Sequence, residues 1–258
     1  QKPQMGKYYA GAALGIVISA CGSIFFEKFN LPWNAQWQSY SLIALILFFP
    51  AWFLRPKLID KHKLKKKSSG LKKDNLHLPD FFKLMVMYFF SGFAFVVSAT
   101  FTVAIVQSNF ESQNIGSLAW LVVGIAGIPS VIAWDKMENK IGMQKALCFA
   151  IIFHIISLLL SAFFINFYLL LLSALFFGIS HLGIVSLTMT IAGRESPRNP
   201  GREMAKLTIA FALALVFGPF ISGIIAQQSG TYFYPLVLSA CMLSCGIILM
   251  LSRKRKIV

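Results

Sequence analysis

Apolar residues run along this chain in long blocks, separated by shorter polar stretches. Eight blocks stand out, at residues 8–26, 37–54, 81–107, 116–134, 146–164, 167–191, 207–227 and 232–251. Their lengths centre on the roughly 18–25 residues that a helix needs to cross a ~30 Å hydrocarbon layer. Backbone groups in lipid must bond within their own segment, so each block is predicted to be a helix. The alternating strands of about ten residues that build membrane barrels do not appear. The expected fold is all-α: a polytopic membrane protein with eight transmembrane helices and the lipid bilayer as its surroundings.

Composition agrees. Of 258 residues, 57% are hydrophobic and 13% charged, with a mean hydropathy of +0.70, whereas soluble domains carry about 25% charged residues. The net charge of +15 would suggest a nucleic-acid partner in a soluble protein. Here the basic residues lie between the apolar blocks, so membrane topology explains them and no nucleic-acid partner is expected. All but one of the 24 Lys and Arg residues fall on one side of an eight-span arrangement, and Lys28 is the exception. The positive-inside rule makes that crowded side the cytoplasm, with both termini there. Trp33, Trp37, Tyr232 and Tyr234 are expected as anchors at outer helix ends, Trp52 and Trp134 at inner ends.

The longest connection, "RPKLIDKHKLKKKSSGLKKDNLHLPD", is polar and basic, and reads as a cytoplasmic linker that could also meet anionic lipid. The first block is followed by Glu27 and Lys28 rather than a cleavage site, which argues against a signal peptide. Cys21, Cys148, Cys241 and Cys245 lie inside apolar blocks without metal or redox spacing, and are expected as buried packing thiols.

Within the first block, Gly11, Gly15, Ser19 and Ser23 recur at every fourth position, a spacing that admits a close helix neighbour. A gap-free shift of 199 positions places them on Ala210, Ala214, Gly218 and Ser222. The same shift places Lys7 on Lys206, and Arg55 and Lys57 on Lys254 and Lys256. Helices one and two thus match helices seven and eight, a displacement of six. A parallel six-helix repeat implies twelve helices in the complete protein, so the first helix here would be the fifth. The basic connection then falls where two halves would join. The expected division is 1–55, the last two helices of an amino-terminal bundle; 56–79, a cytoplasmic linker; and 80–258, a carboxy-terminal six-helix bundle.

The stretches "SGFAFVVSATFTVAIVQ", "LAWLVVGIAGIPSVIAWDKMENKIG", "LLLLSALFFGISHLGIVSLTMTIAGR" and "LALVFGPFISGIIAQQSG" resemble the major facilitator superfamily, in its bacterial YbfB/YjiJ-type branch. The likeness covers essentially the whole chain, as helices five to twelve of that twelve-helix fold. It implies a secondary transporter of the inner membrane, working by alternating access on an unidentified small solute, with efflux as one direction and protons as a candidate coupling ion. The family's loop signature G-x-x-x-D-[RK]-x-G-[RK]-[RK] is only partly matched by "DKMENKIGMQK". Lys140 and Gly142 hold their positions, Lys145 comes one place late, Asn139 replaces the acid and Asp135 the first glycine. A gating latch would have to be made differently, with Asp135 or Glu138.

Candidate site residues follow from polar groups inside the spans. No Asp, Glu, Lys or Arg lies mid-helix, so a coupling carboxylate is expected in helices beyond this chain. His154 is expected as a core histidine bonded to a neighbouring hydroxyl or carbonyl. His181 lies on the helix that lines the family's central cavity, and suits either a solute contact or packing. Tyr88, Ser91, Phe95, Ser98 and Thr102 step by three and four along one helix, and Phe177, His181 and Thr188 share a face of another. Facing each other, the two stripes would line a mixed pocket for a polar or amphipathic solute; the alternative is that the hydroxyls bond back to their own helices. Gly218-Pro219 interrupts a helix and, with Ser222, reads as a pivot or a shape requirement. No metal, cofactor or enzymatic step is expected. Ser180 and His181 are adjacent and so do not face each other, and no HExxH motif occurs. The remaining rival to a transporter is a truncated remnant that does not transport.

Overall fold

The computed structural model describes residues 5–53, 77–109 and 115–253. Among them are eight helices: α1 Met5–Lys28, α2 Trp33–Phe53, α3 Leu78–Asn109, α4 Ile115–Ile141, α5 Met143–Phe163, α6 Phe167–Glu195, α7 Pro200–Ser229 and α8 Phe233–Leu251. Seven are long and apolar enough to cross a membrane. The exception is α2, whose amino-terminal turns carry Asn34, Gln36 and Gln38. The chain is a multi-pass membrane protein. The basic linker expected at 56–79 lies outside the described residues apart from 77–79.

Several helices begin before their apolar blocks. α7 starts with Pro200 at its first turn and continues through Glu203 and Lys206, which pair at 2.9 Å one turn apart. Helix starts at the polar edge are set by caps, not by hydropathy. At α6 the Asn166 side chain accepts from the backbone N–H of Tyr168 at 3.0 Å and of Leu169 at 3.4 Å, the role for which short polar side chains are suited. Between α4 and α5 the chain reverses through Gly142 at φ 87°, a conformation costly for residues with a Cβ.

Helices α3 to α8 share the largest core, which includes Leu84, Leu147, Ile151, Leu187 and Leu243, all fully buried. α3 packs on α7 and α8, α4 on α6, and α5 on α6 and α8. α1 lies antiparallel along α4 and touches α6, while α2 contacts α1 alone among the described helices and has no buried residue. Glycine allows the closest approaches, as expected where packing rather than hydrophobicity drives helix association. A Cβ at Gly178 of α6 would collide with the Val123 carbonyl of α4, and one at Gly183 would strike the Trp134 ring.

Two expectations change. Trp134 is not an interfacial anchor: it is buried and its Nε1–H donates to the Ile179 carbonyl at 2.7 Å. Cys148 is buried, but Cys21, Cys241 and Cys245 are exposed on helix faces. At the carboxy-terminal end of α8, the Arg253 guanidinium is buried against the Glu195 carboxylate.

Candidate functional site

Two helical turns of α3 set Tyr88 and Phe95 on the face turned to α6 and α7. The Phe95 ring stacks on His181 of α6, with centroids 4.1 Å apart and planes 24° from parallel. Phe177, one turn earlier on α6, closes on Phe95 at 5.8 Å and on His181 at 5.7 Å. Phe211 of α7 bridges the group, 4.9 Å from Tyr88, 6.0 Å from Phe95 and 6.2 Å from His181. Trp120 of α4 extends it, 6.4 Å from Phe177. Four helices thus contribute rings to one cluster, in the tilted and stacked arrangements that aromatic pairs favour. His181 is half-buried in it, and ring contacts are its partners among the described residues.

The hydroxyls of the same α3 stripe turn elsewhere. Ser91 donates back to the Met87 carbonyl at 3.1 Å. Ser98 Oγ lies 3.1 Å from His154 Nε2 of α5, and Thr102 Oγ1 lies 3.4 Å from Ser161 Oγ. Ser161 continues to Ser173 of α6 at 2.7 Å, and Ser173 donates to the Ser157 carbonyl at 2.8 Å. The predicted stripe therefore divides: Tyr88 and Phe95 join the aromatic cluster, while Ser98 and Thr102 hold α3, α5 and α6 together. His154 takes the core role expected of it. Thr188 is fully buried, its Oγ1 without a hydrogen-bond partner among the described residues, and no ring contact joins it to the cluster. Ser180 donates to the Phe177 carbonyl at 3.1 Å and is not paired with His181.

The expected packing residues also separate. Gly218 of α7 is buried against α3, where an added Cβ would stand 2.5 Å from Val96 Cγ1; Ala214 meets Gly92 in the same contact. Ser222 is buried and donates to the Gly218 carbonyl at 2.5 Å, bridging the turn that Pro219 interrupts. On α1, by contrast, Gly11 and Gly15 are exposed, and a Cβ added at either would meet nothing within 4 Å. The α1 face that packs is Ala13, Val17 and Ala20; Ser19 bonds back to the Ile16 carbonyl.

At the Lys/Arg-rich end, Glu138 of α4 pairs with Arg194 of α6 at 2.6 Å. Glu195 with Arg253, Glu203 with Lys206, and Asp80 with Lys83 lie at the same end. Glu138 stands one residue before Asn139, Lys140 is exposed, and the Asp135 backbone carbonyl accepts from Asn139 Nδ2 at 2.7 Å.

Phe211 and Trp120 were not singled out from sequence. Their only sequence signal is an aromatic residue within an apolar helix, which is common.

A family described as "Uncharacterised MFS-type transporter YbfB" matches residues 4–251. The "Probable sugar efflux transporter" of Helicobacter pylori strain HPAG1 is 30% identical over 159 residues, covering 57% of this chain and 39% of that protein. The "Azole resistance protein 1" of Saccharomyces cerevisiae is 30% identical over 128 residues, 48% of this chain and 20% of that protein. The chain thus matches well under half the length of each of these relatives.

Proposed function

Because this chain belongs to the YbfB family of MFS-type transporters, we propose that it forms part of a secondary transporter that moves a small solute by alternating access. The observation that carries the reading is the stacking of His181 on Phe95 where α3, α6 and α7 meet. A half-buried imidazole among rings offers one donor and one acceptor beside an apolar surface, the mixture that solute pockets use. Relatives named for sugar efflux and for azole resistance make export the direction to test first. Protons are the candidate coupling ion, with His181 as the titratable group within the cluster.

In this reading the protein sits in the inner membrane with its Lys/Arg-rich end in the cytoplasm, divided at 1–55, 56–79 and 80–258. Further helices cover the open face of α1. The matching stripe on α7 supports this: Ala210, Ala214, Gly218 and Ser222 are all buried, whereas Gly11 and Gly15 face open space. The 258 residues alone are accordingly inactive.

Proteoliposomes test both parts. The protein extended by its upstream helices should export members of a mono- and disaccharide panel saturably, and His181→Ala should remove that export. An extended protein that moves no solute in the panel, or any other offered, overturns the transport reading. Saturable export by the 258 residues alone overturns the need for further helices.

A further inference from the structure

At the end of the bundle opposite the ion pairs, α1, α2, α3 and α4 border an open recess of about 320 Å³. It is separate from the aromatic cluster except that Trp120 borders both. Glu27, in the last turn of α1, supplies its one carboxylate. Glu27 Oε1 accepts from Ser117 Oγ of α4 at 2.9 Å, and Oε2 is buried with no hydrogen-bond partner among the described residues. No Lys, Arg or His among those residues pairs with it.

Most of the other polar groups are already ordered; the amide of Gln107 also borders the recess. Gln36 Nε2 donates to Ser23 Oγ at 3.1 Å and to Tyr40 Oη at 3.2 Å, and the Tyr40 hydroxyl donates to the Ser19 carbonyl at 2.6 Å. Two glycines let the walls come this close. A Cβ at Gly22 would sit 2.9 Å from Tyr40 Oη, and one at Gly116 would sit 2.8 Å from Gln107 Nε2. The result is a recess in which one buried side-chain acceptor among the described residues is left over, and that acceptor belongs to a charged group.

We infer that this recess binds a small solute through a protonated primary amine, donated to Glu27 Oε2. A buried carboxylate oxygen without a donor is costly, and a carboxylate without a counter-charge more so. A neutral hydroxyl would satisfy the lone pair but leave the charge. A quaternary ammonium would balance the charge but bring no N–H. A primary ammonium does both, and the Trp120 and Tyr40 rings bordering the recess add a surface that attracts cations. The site does not depend on transport, because it exists within these 258 residues.

Titration of the chain in nanodiscs, read by tryptophan fluorescence, tests it with three probes: ethanolamine, choline and ethylene glycol. Ethanolamine should bind saturably at neutral pH, at least tenfold more tightly than either of the others. Glu27→Gln, which can still accept from Ser117, should bring ethanolamine to the level of ethylene glycol. Ser117→Ala should leave ethanolamine affinity within about threefold, since it removes the other oxygen's partner. Equal binding of ethylene glycol, absent binding of ethanolamine, unchanged affinity in Glu27→Gln, or equal losses in Glu27→Gln and Ser117→Ala would each overturn the assignment. The wild-type ranking of probes stands whether or not a variant folds.

Discussion

Glu138 of α4 and Arg194 of α6 meet at 2.6 Å, a carboxylate 8% exposed against a guanidinium 27% exposed. The pair fastens two parallel helices whose backbones also touch at Gly178, so it closes the Lys/Arg-rich end of the tightest helix contact in the bundle. The unequal burial makes its two halves unequal.

Removing the cation strands a buried charge, and removing the acid does not. Arg194→Ala should therefore destabilise by about 3–5 kcal/mol, the range for an uncompensated buried charge. Glu138→Ala should cost less, since Arg194 can turn to water. Thermal unfolding in detergent would show the order, and an equal or reversed order would count against this burial pattern.

Glycine substitutions should sort by what a new methyl meets. Gly178→Ala drives a Cβ into the Val123 carbonyl, and overpacking of that kind costs typically about 1–3 kcal/mol. Gly11→Ala and Gly15→Ala meet open space, and should be neutral or stabilising by up to about 1 kcal/mol through helix propensity. Once helices are added upstream, the α1 pair should become as intolerant as Gly178. Melting temperatures of the short and extended proteins make the comparison.

Ser98→Ala leaves His154 fully buried without its Oγ partner. The expected loss is about 1–3 kcal/mol, the penalty for stranding a buried polar group. Ser98→Thr, which restores a hydroxyl, should recover part of it. Phe95→Ala and His181→Ala should instead lower export by the extended protein at least tenfold. If Ser98→Ala proves the more damaging to export at equal protein level, the aromatic cluster is not the solute contact.

Orientation can be read with a membrane-impermeant maleimide on intact cells, after Cys21, Cys241 and Cys245 are replaced by Ser. Lys140→Cys, exposed at the Lys/Arg-rich end, should stay unlabelled until the membrane is opened. Tyr168→Cys, 76% exposed at the other end, should label at once. The reverse pattern would invert the topology drawn from the basic residues.

Hydropathy made the helices legible because lipid forces every spanning segment to satisfy its own backbone. The basic residues marked one end for the same kind of reason, the cost of carrying charge across the layer. His154 as a core histidine could also be read locally, since a lone imidazole in an apolar run must find a nearby hydroxyl or carbonyl.

What the sequence by itself determined was thus the set of helices and their alternating direction, because both depend on each segment's own exchange with lipid and water. Which face of a helix meets which neighbour was decided only in the folded bundle. Ser98 and Thr102 share a stripe with Phe95 yet point to α5, and Gly11 and Gly15 of α1 face open space while Ala13 and Val17 make the contact. Glu27, by position a helix-end charge, became a half-buried acceptor only when Ser117, ninety positions away, was brought against it. Such pairings depend on shape complementarity between distant segments, and no periodicity within one segment encodes it.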